Sequence, residues 1–298
     1  MHQQTALLEA AYSPRFLRFF SWWGRDKMLA KKFSAVRAAP GTREALAGLR
    51  DHAGPVICCT NHVGWWDPIV MLALHRDFLP GRSLRAPMHI EQLRRFNFFR
   101  RLGTFGIDPD DPASIKAMDA YLSAYFQGDS RDDNRGDALP TLWINPQGRF
   151  ADVREPVVAR PGAAKIAAGA ADARCVAVQI EYPFLTDAKP EVWVRAAPIE
   201  PDRPGTTGWH RAIVRTMEDN RVALGDLVTA RDPEAMIDLI GGEASNGNPI
   251  FDLWLRLRGR GGGIDDARDR AAFRQTGAQA DAQADGQPRA GARGGSAA

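Results

Sequence analysis

The sequence predicts an α/β fold: a single domain with a largely parallel mixed sheet flanked by helices, preceded by an amphipathic helical segment. Three observations predict it. Short apolar runs suited to strands buried on both faces recur along the chain, led by PVICCT at residues 55–60. Stretches with helical start signals fall between them, and that alternation is the pattern of a layered, mostly parallel sheet. At 298 residues, with 44% hydrophobic and 25% charged residues, the chain is long enough to bury one large core. The expected organisation is an amphipathic segment over 1–40, the α/β domain over 41–258 and a disordered tail over 259–298.

The first element is PRFLRFFSWWGRDKMLAKKF, residues 14–33, in which Gly24 is expected to bend the helix or split it in two. Its aromatic residues alternate with arginine and lysine. That mixture suits a helix lying among lipid headgroups, with rings in the acyl boundary and cations toward anionic lipid. It equally suits a helix that packs its apolar face on the body and solvates its basic face, and both readings stay open.

The run 55–60 is the next strand, and Asp67 followed by Pro68 and IVMLALH reads as an N-cap, a proline at the first helical position and a helix. Further strands are expected at 84–89, 141–145, 174–182 and 191–197, the last from the alternation in EVWVRA. Helices are expected at 91–102, 112–126, 162–171 and 209–229. Within 91–102, Arg94, Arg95, Arg100 and Arg101 interleave with Phe96, Phe98 and Phe99. This is a second surface for lipid headgroups or an acidic carrier protein, or else a solvated face with the phenylalanines buried. GDSRDDNRGDALP, 128–140, reads as a charged surface loop, and the Gly-, Ala-, Arg-, Asp- and Gln-rich stretch from 259 onward has too few large apolar residues to fold.

Composition excludes some functions. A net charge of +3 with no recognised motif does not argue for nucleic acid as a partner. Three cysteines, two of them adjacent in an apolar run, suit reduced buried thiols better than a disulfide framework. The start of the chain lacks the pattern of a secretory signal, and no uncharged apolar run reaches the length of a membrane span. The expected place is peripheral or monotopic on the cytoplasmic face of the inner or plasma membrane. His52, His75, His89 and His210 have no neighbours at metal-ligand spacing, so no metal is expected.

The stretch TNHVGWWDPIV, residues 60–70, puts His62 and Asp67 five positions apart. On one helix they would point roughly 140° apart, so a meeting requires a turn between them. A carboxylate that holds an imidazole fixes its tautomer and stabilises its cation, which makes a general base. No serine lies in a G-x-S-x-G context, and the nearest hydroxyl is Thr60. A base here therefore takes its proton from a substrate hydroxyl rather than from an enzyme nucleophile. The structural alternative is a histidine at a strand end and an aspartate that only caps a helix.

The blocks NHVGWWDP, RRFNFFRRLGTFGIDPDD, WINPQGRF and RPGAAKIAAGAADARCVAVQIEY, in that order and spacing, resemble the glycerolipid acyltransferase family, which includes the glycerol-3-phosphate and lysophosphatidic acid acyltransferases. The resemblance spans roughly 55–182, and the amphipathic segment stands where family members carry a membrane-associating helical motif. It implies that His62 deprotonates the acceptor hydroxyl and Asp67 orients it, and that the hydroxyl attacks an acyl thioester without an acyl-enzyme intermediate. The donor would be acyl-coenzyme A or acyl carrier protein, a co-substrate rather than a cofactor. Substrate binding falls to Asn61, to the turn Pro146, Gln147, Gly148 and Arg149, to Arg101, and to Trp65 and Trp66, which either line a groove or fill the core.

The sequence departs from the family pattern where an acceptor's phosphate is gripped. The second block runs into Pro109 with Arg100 and Arg101 upstream, Gln147 replaces the usual glutamate, and Arg149 stands one residue early, followed by Phe150. Paired hydrogen bonds from arginine are the means of holding a phosphate monoester. The acceptor is accordingly either lysophosphatidic acid-like, held by another route, or a lipid hydroxyl without a phosphate monoester, such as a glycosylated or terpenoid lipid. Two rivals remain: a non-catalytic lipid-binding relative, and a hydrolase that activates water on a thioester or ester.

Overall fold

The computed structural model describes residues 6–128, 136, 138–185 and 187–241. Most of the charged stretch expected at 128–140 and all of the tail expected from 259 lie outside the described residues. The fold is α/β, with one eight-stranded mixed sheet flanked by helices and an N-terminal helix at its start.

The strands are β1 (Ala35–Ala38), β2 (Val56–Thr60), β3 (Ser83–His89), β4 (Thr104–Ile107), β5 (Pro140–Ile144), β6 (Arg174–Glu181), β7 (Val192–Ile199) and β8 (Ile237–Gly241). Their order across the sheet is β4-β3-β5-β2-β6-β7-β1-β8. Strands β4, β3, β5, β2 and β6 run parallel; β7 is antiparallel to β6, β1 parallel to β7, and β8 antiparallel to β1. The helices are α1 (Pro14–Trp23), α2 (Ala30–Lys32), α3 (Thr42–Ala47), α4 (Asp67–Phe78), α5 (Ile90–Arg95), α6 (Pro112–Gln127), α7 (Gly162–Gly169) and α8 (Thr206–Ala230).

Alternation along β2 divides the core between two faces. Val56 and Cys58 point into a cluster shared with Leu17 of α1 and Ile69, Val70 and Leu74 of α4, whereas Ile57 and Cys59 point into one shared with α6, α7 and α8. All five residues of β2 are buried, as the run VICCT requires. The helix after β2 lies on one face and the helix after the adjacent parallel β5 on the other. Divergence of two neighbouring connections opens a crevice at the carboxyl ends of those strands.

Several elements differ from the sequence expectation. Gly24 ends α1 without leaving helical backbone, at φ −59° and ψ −50°, and opens a π-helical turn, Gly24–Leu29, that leads on to α2. A Cβ on Gly24 would come 3.1 Å from the Ile69 methyl of α4, a tight contact. The helix expected over 91–102 is two elements, α5 and a 3-10 helix, Asn97–Leu102, separated at Phe96, where φ −114° and ψ 55° are not helical. Asp67 is the first residue of α4 rather than its cap, a place held by Trp66 without a side-chain hydrogen bond. Residues before α1 reach back to the sheet, where Leu8 bridges Gly106 and covers the edge strand β4.

Candidate active site

His62 leaves the end of β2 into the crevice, and its exit path is pinned on both sides. Asn61 is buried, and its side-chain amide donates to Ile180 O at 2.8 Å and accepts from Ile180 N at 2.8 Å. It thereby adds one more rung between β2 and β6 after the backbone ladder stops. From the β5 side, Asn145 Nδ2 donates to Asn61 O at 2.9 Å. Asn61 was expected to touch substrate; its side chain is committed to the β6 backbone instead.

Across the turn His62 and Asp67 meet, with Nδ1 to Oδ2 at 2.7 Å. Asp67 is wholly buried, and the same Oδ2 accepts the backbone N–H groups of Val63 at 2.8 Å and Gly64 at 2.9 Å. The other oxygen, Oδ1, accepts the Tyr182 hydroxyl at 2.6 Å. Burial, and then the adjacent Asp67 charge, push the Tyr182 phenol far above its ordinary value, so it stays a protonated donor. Backbone amides can only donate, so Oδ2 acts as an acceptor and His62 must present Nδ1–H to it. That tautomer leaves the Nε2 lone pair free for a proton. The Val63 and Gly64 amides are occupied by Asp67 and so are not free to meet a developing oxyanion.

The turn after β5 forms the facing wall. Pro146 and Gln147 are buried, and Gly148 turns the chain at φ +66° with the Arg160 side chain packed beneath it. The Ala151 N–H donates to His62 O at 2.9 Å, and the Phe150 ring lies 3.9 Å from the imidazole centroid at 31°. A cleft of about 440 Å³ opens here, lined by Val63, Phe150, Arg154, Glu181 and Tyr182 among others. Burial raises the Glu181 carboxyl above its usual range, a smaller effect of the Arg154 charge opposing it.

The remaining expected residues are spread out. Arg149 points into an ion pair with Glu155 at 2.5 Å. Arg101 precedes β4, three strands away from β2, with its guanidinium 4.2 Å from the Phe16 ring centroid; the structure does not bring it to His62. Trp65 is 65% exposed, while Trp66 packs edge-on against Phe33 at 5.3 Å. Tyr182 and Phe150 are the site neighbours that sequence reasoning missed. The available signal for Tyr182 was its place at the carboxyl end of an expected strand.

The three cysteines are buried and reduced, with burial pushing Cys59 up to about 12 and holding Cys58 and Cys175 well above the usual thiol range. Among the described residues no group of three or more His, Cys, Asp or Glu side chains gathers to hold a metal. No family model matches the chain, and no curated protein matches it.

Proposed function

We propose that the protein is an O-acyltransferase that moves a fatty acyl group from an acyl thioester, coenzyme A or acyl carrier protein, to a lipid hydroxyl. The observation that carries this reading is the His62–Asp67 contact, in which a buried anionic acceptor holds Nδ1–H and leaves Nε2 as the base. Nε2 takes the acceptor's hydroxyl proton as the oxygen attacks the thioester carbon. The C–S bond then breaks, and the departing thiolate recovers the proton from the imidazolium.

An acceptor without a phosphate monoester fits the charges around the cleft better than lysophosphatidic acid. Arg149 is paired with Glu155, Arg154 donates to Asp152 at 3.0 Å, and Arg160 pairs with Asp110 at 3.2 Å. Each arginine near the turn thus already faces a carboxylate. The acceptor would be met at a membrane surface: Phe19, Trp22 and Trp23 of α1 and Phe96 and Phe98 beside the 3-10 helix are exposed, with Phe20 and Phe98 in contact at 5.8 Å. The two aromatic-and-basic stretches are therefore one patch. Among the described residues no helix is long and apolar enough to cross a membrane.

The test is thiol release from a long-chain acyl-coenzyme A with a total lipid extract as acceptor, read by mass spectrometry of the lipids. An acylated lipid made by the wild type and absent with His62→Ala is the expected result. Free fatty acid made equally with and without added lipid would instead identify a hydrolase.

A further inference from the structure

We propose that Tyr182 is a positioning residue for His62, acting through the carboxylate of Asp67. The inference rests on the acyl-transfer reading and extends its machinery by a residue 115 positions from Asp67 in the chain.

Asp67 has two oxygens with unequal surroundings. Oδ2 receives His62, Val63 and Gly64, whereas among the described residues the Tyr182 hydroxyl is the donor to Oδ1. Because the carboxylate is wholly buried, an unmet Oδ1 would carry charge with neither water nor a donor to balance it. Rotation about Cβ–Cγ toward another donor would relieve that cost, and the same rotation would take Oδ2 out of line with Nδ1. The hydroxyl of Tyr182 removes the incentive to rotate.

Tyr182 is itself held independently of Asp67. It follows β6 directly, two residues after the Asn61–Ile180 rung that ties β6 to β2. Its ring lies 5.7 Å from that of Phe33, which is 3% exposed, and one edge reaches the backbone of Gly64 closely enough that a Cβ there would touch it at 4.0 Å. The hydroxyl therefore arrives at a fixed place, and the aspartate adjusts to it. Loss of the hydroxyl alone leaves the ring and its packing intact.

Tyr182→Phe is the test, with rate and resonance as separate readouts. A displaced base costs turnover rather than binding, so kcat should fall roughly 10- to 100-fold with KM for acyl-coenzyme A unchanged. If Tyr182 acts through Asp67, then Asp67→Asn combined with Tyr182→Phe should be no slower than Asp67→Asn alone. Multiplying losses would overturn the proposal. The second readout needs no activity: in protein labelled with ¹⁵N-histidine, the Nδ1–H resonance of His62, assigned by its absence in His62→Gln, should broaden or shift in Tyr182→Phe. An unchanged resonance would also overturn it. A wild type that transfers no acyl group removes the enzymatic reading, and the resonance then decides the role of Tyr182 alone.

Discussion

Asp67 carries four hydrogen bonds on a side chain that the solvent does not reach, and two of them come from the turn it closes. Its replacement by asparagine keeps the size but exchanges an acceptor for a donor on one side. An NH₂ group in the place of Oδ2 would face His62, Val63 and Gly64, which all donate there; in the place of Oδ1 it would face the Tyr182 hydroxyl, and the imidazole would keep only a neutral amide oxygen in place of the carboxylate that stabilises its cation. Asp67→Asn should lower acyl transfer roughly 10²- to 10⁴-fold, measured as thiol release at saturating donor. The pair was legible in the sequence because its five-residue spacing with an intervening glycine specifies a turn. Tyr182 was not, since nothing local ties residue 182 to residue 67; only the pairing of β2 with β6 brings them together. Gly103 makes a separate prediction. At φ +104° a Cβ would lie 2.0 Å from Leu84 O, a position that backbone cannot yield. Gly103→Ala should destabilise the fold by about 2 kcal/mol or more, seen as a lower urea midpoint.

Among the elements, the long ones with clear punctuation were readable. Asp111 before Pro112 starts α6, with its carboxylate accepting from Ala113 N at 2.9 Å, and Gly128 ends it at φ +87°. Strands β1, β4 and β8 were missed because their short runs AVRA, TFGI and IDLIG are interrupted, by Arg37, Gly106 and Asp238, whereas the equally short β2 and β5 hold unbroken apolar runs. The amphipathic start of the chain buries one face and exposes aromatic residues on the other. Leu17, Leu29 and Phe33 are buried against the body, while Phe19, Trp22 and Trp23 face outward beside exposed Arg15, Arg18 and Lys27. Removal of the whole segment would strip the core, so point substitutions are the informative probe. Phe19→Ala with Trp22→Ala should weaken binding to anionic liposomes at least about tenfold, in a flotation assay, without lowering the melting temperature. Equal flotation of variant and wild type would dismiss this face as a membrane contact.

For the molecule as a whole, two buried groups report on global opening. His75 is buried in α4, with Nε2 donating to Arg82 O at 3.1 Å and Nδ1 accepting from Trp143 Nε1 at 3.3 Å. Burial pushes its titration down from 6.5 to about 4. The unfolded chain therefore binds this proton more readily, so the stabilisation is fully present above about pH 6.5 and is lost as pH falls toward 4. At about 1.4 kcal/mol per pH unit, the loss is roughly 3 kcal/mol, measurable as a falling urea midpoint from this group between pH 7 and pH 4. The three thiols give a second reporter. All are buried on strands at the centre of the sheet, so a disulfide reagent should leave them unmodified until the sheet opens, with Cys58, Cys59 and Cys175 reacting at one common rate. Early labelling of a single cysteine would place a local opening at its strand.

Strand β1 has its consequence in time rather than in space. Val36 pairs with Val192 on one side and with Ile240 on the other, so both its partners are made more than 150 residues after it. A chain synthesised from its N-terminus presents β1 long before it has a seat, and the aromatic helix before the α4 on which it packs. Loop closure over such separations is slow. Until α4 follows, the tryptophans and phenylalanines of α1 stand uncovered, and whatever meets them first, a chaperone or a bilayer, meets them before the sheet has closed.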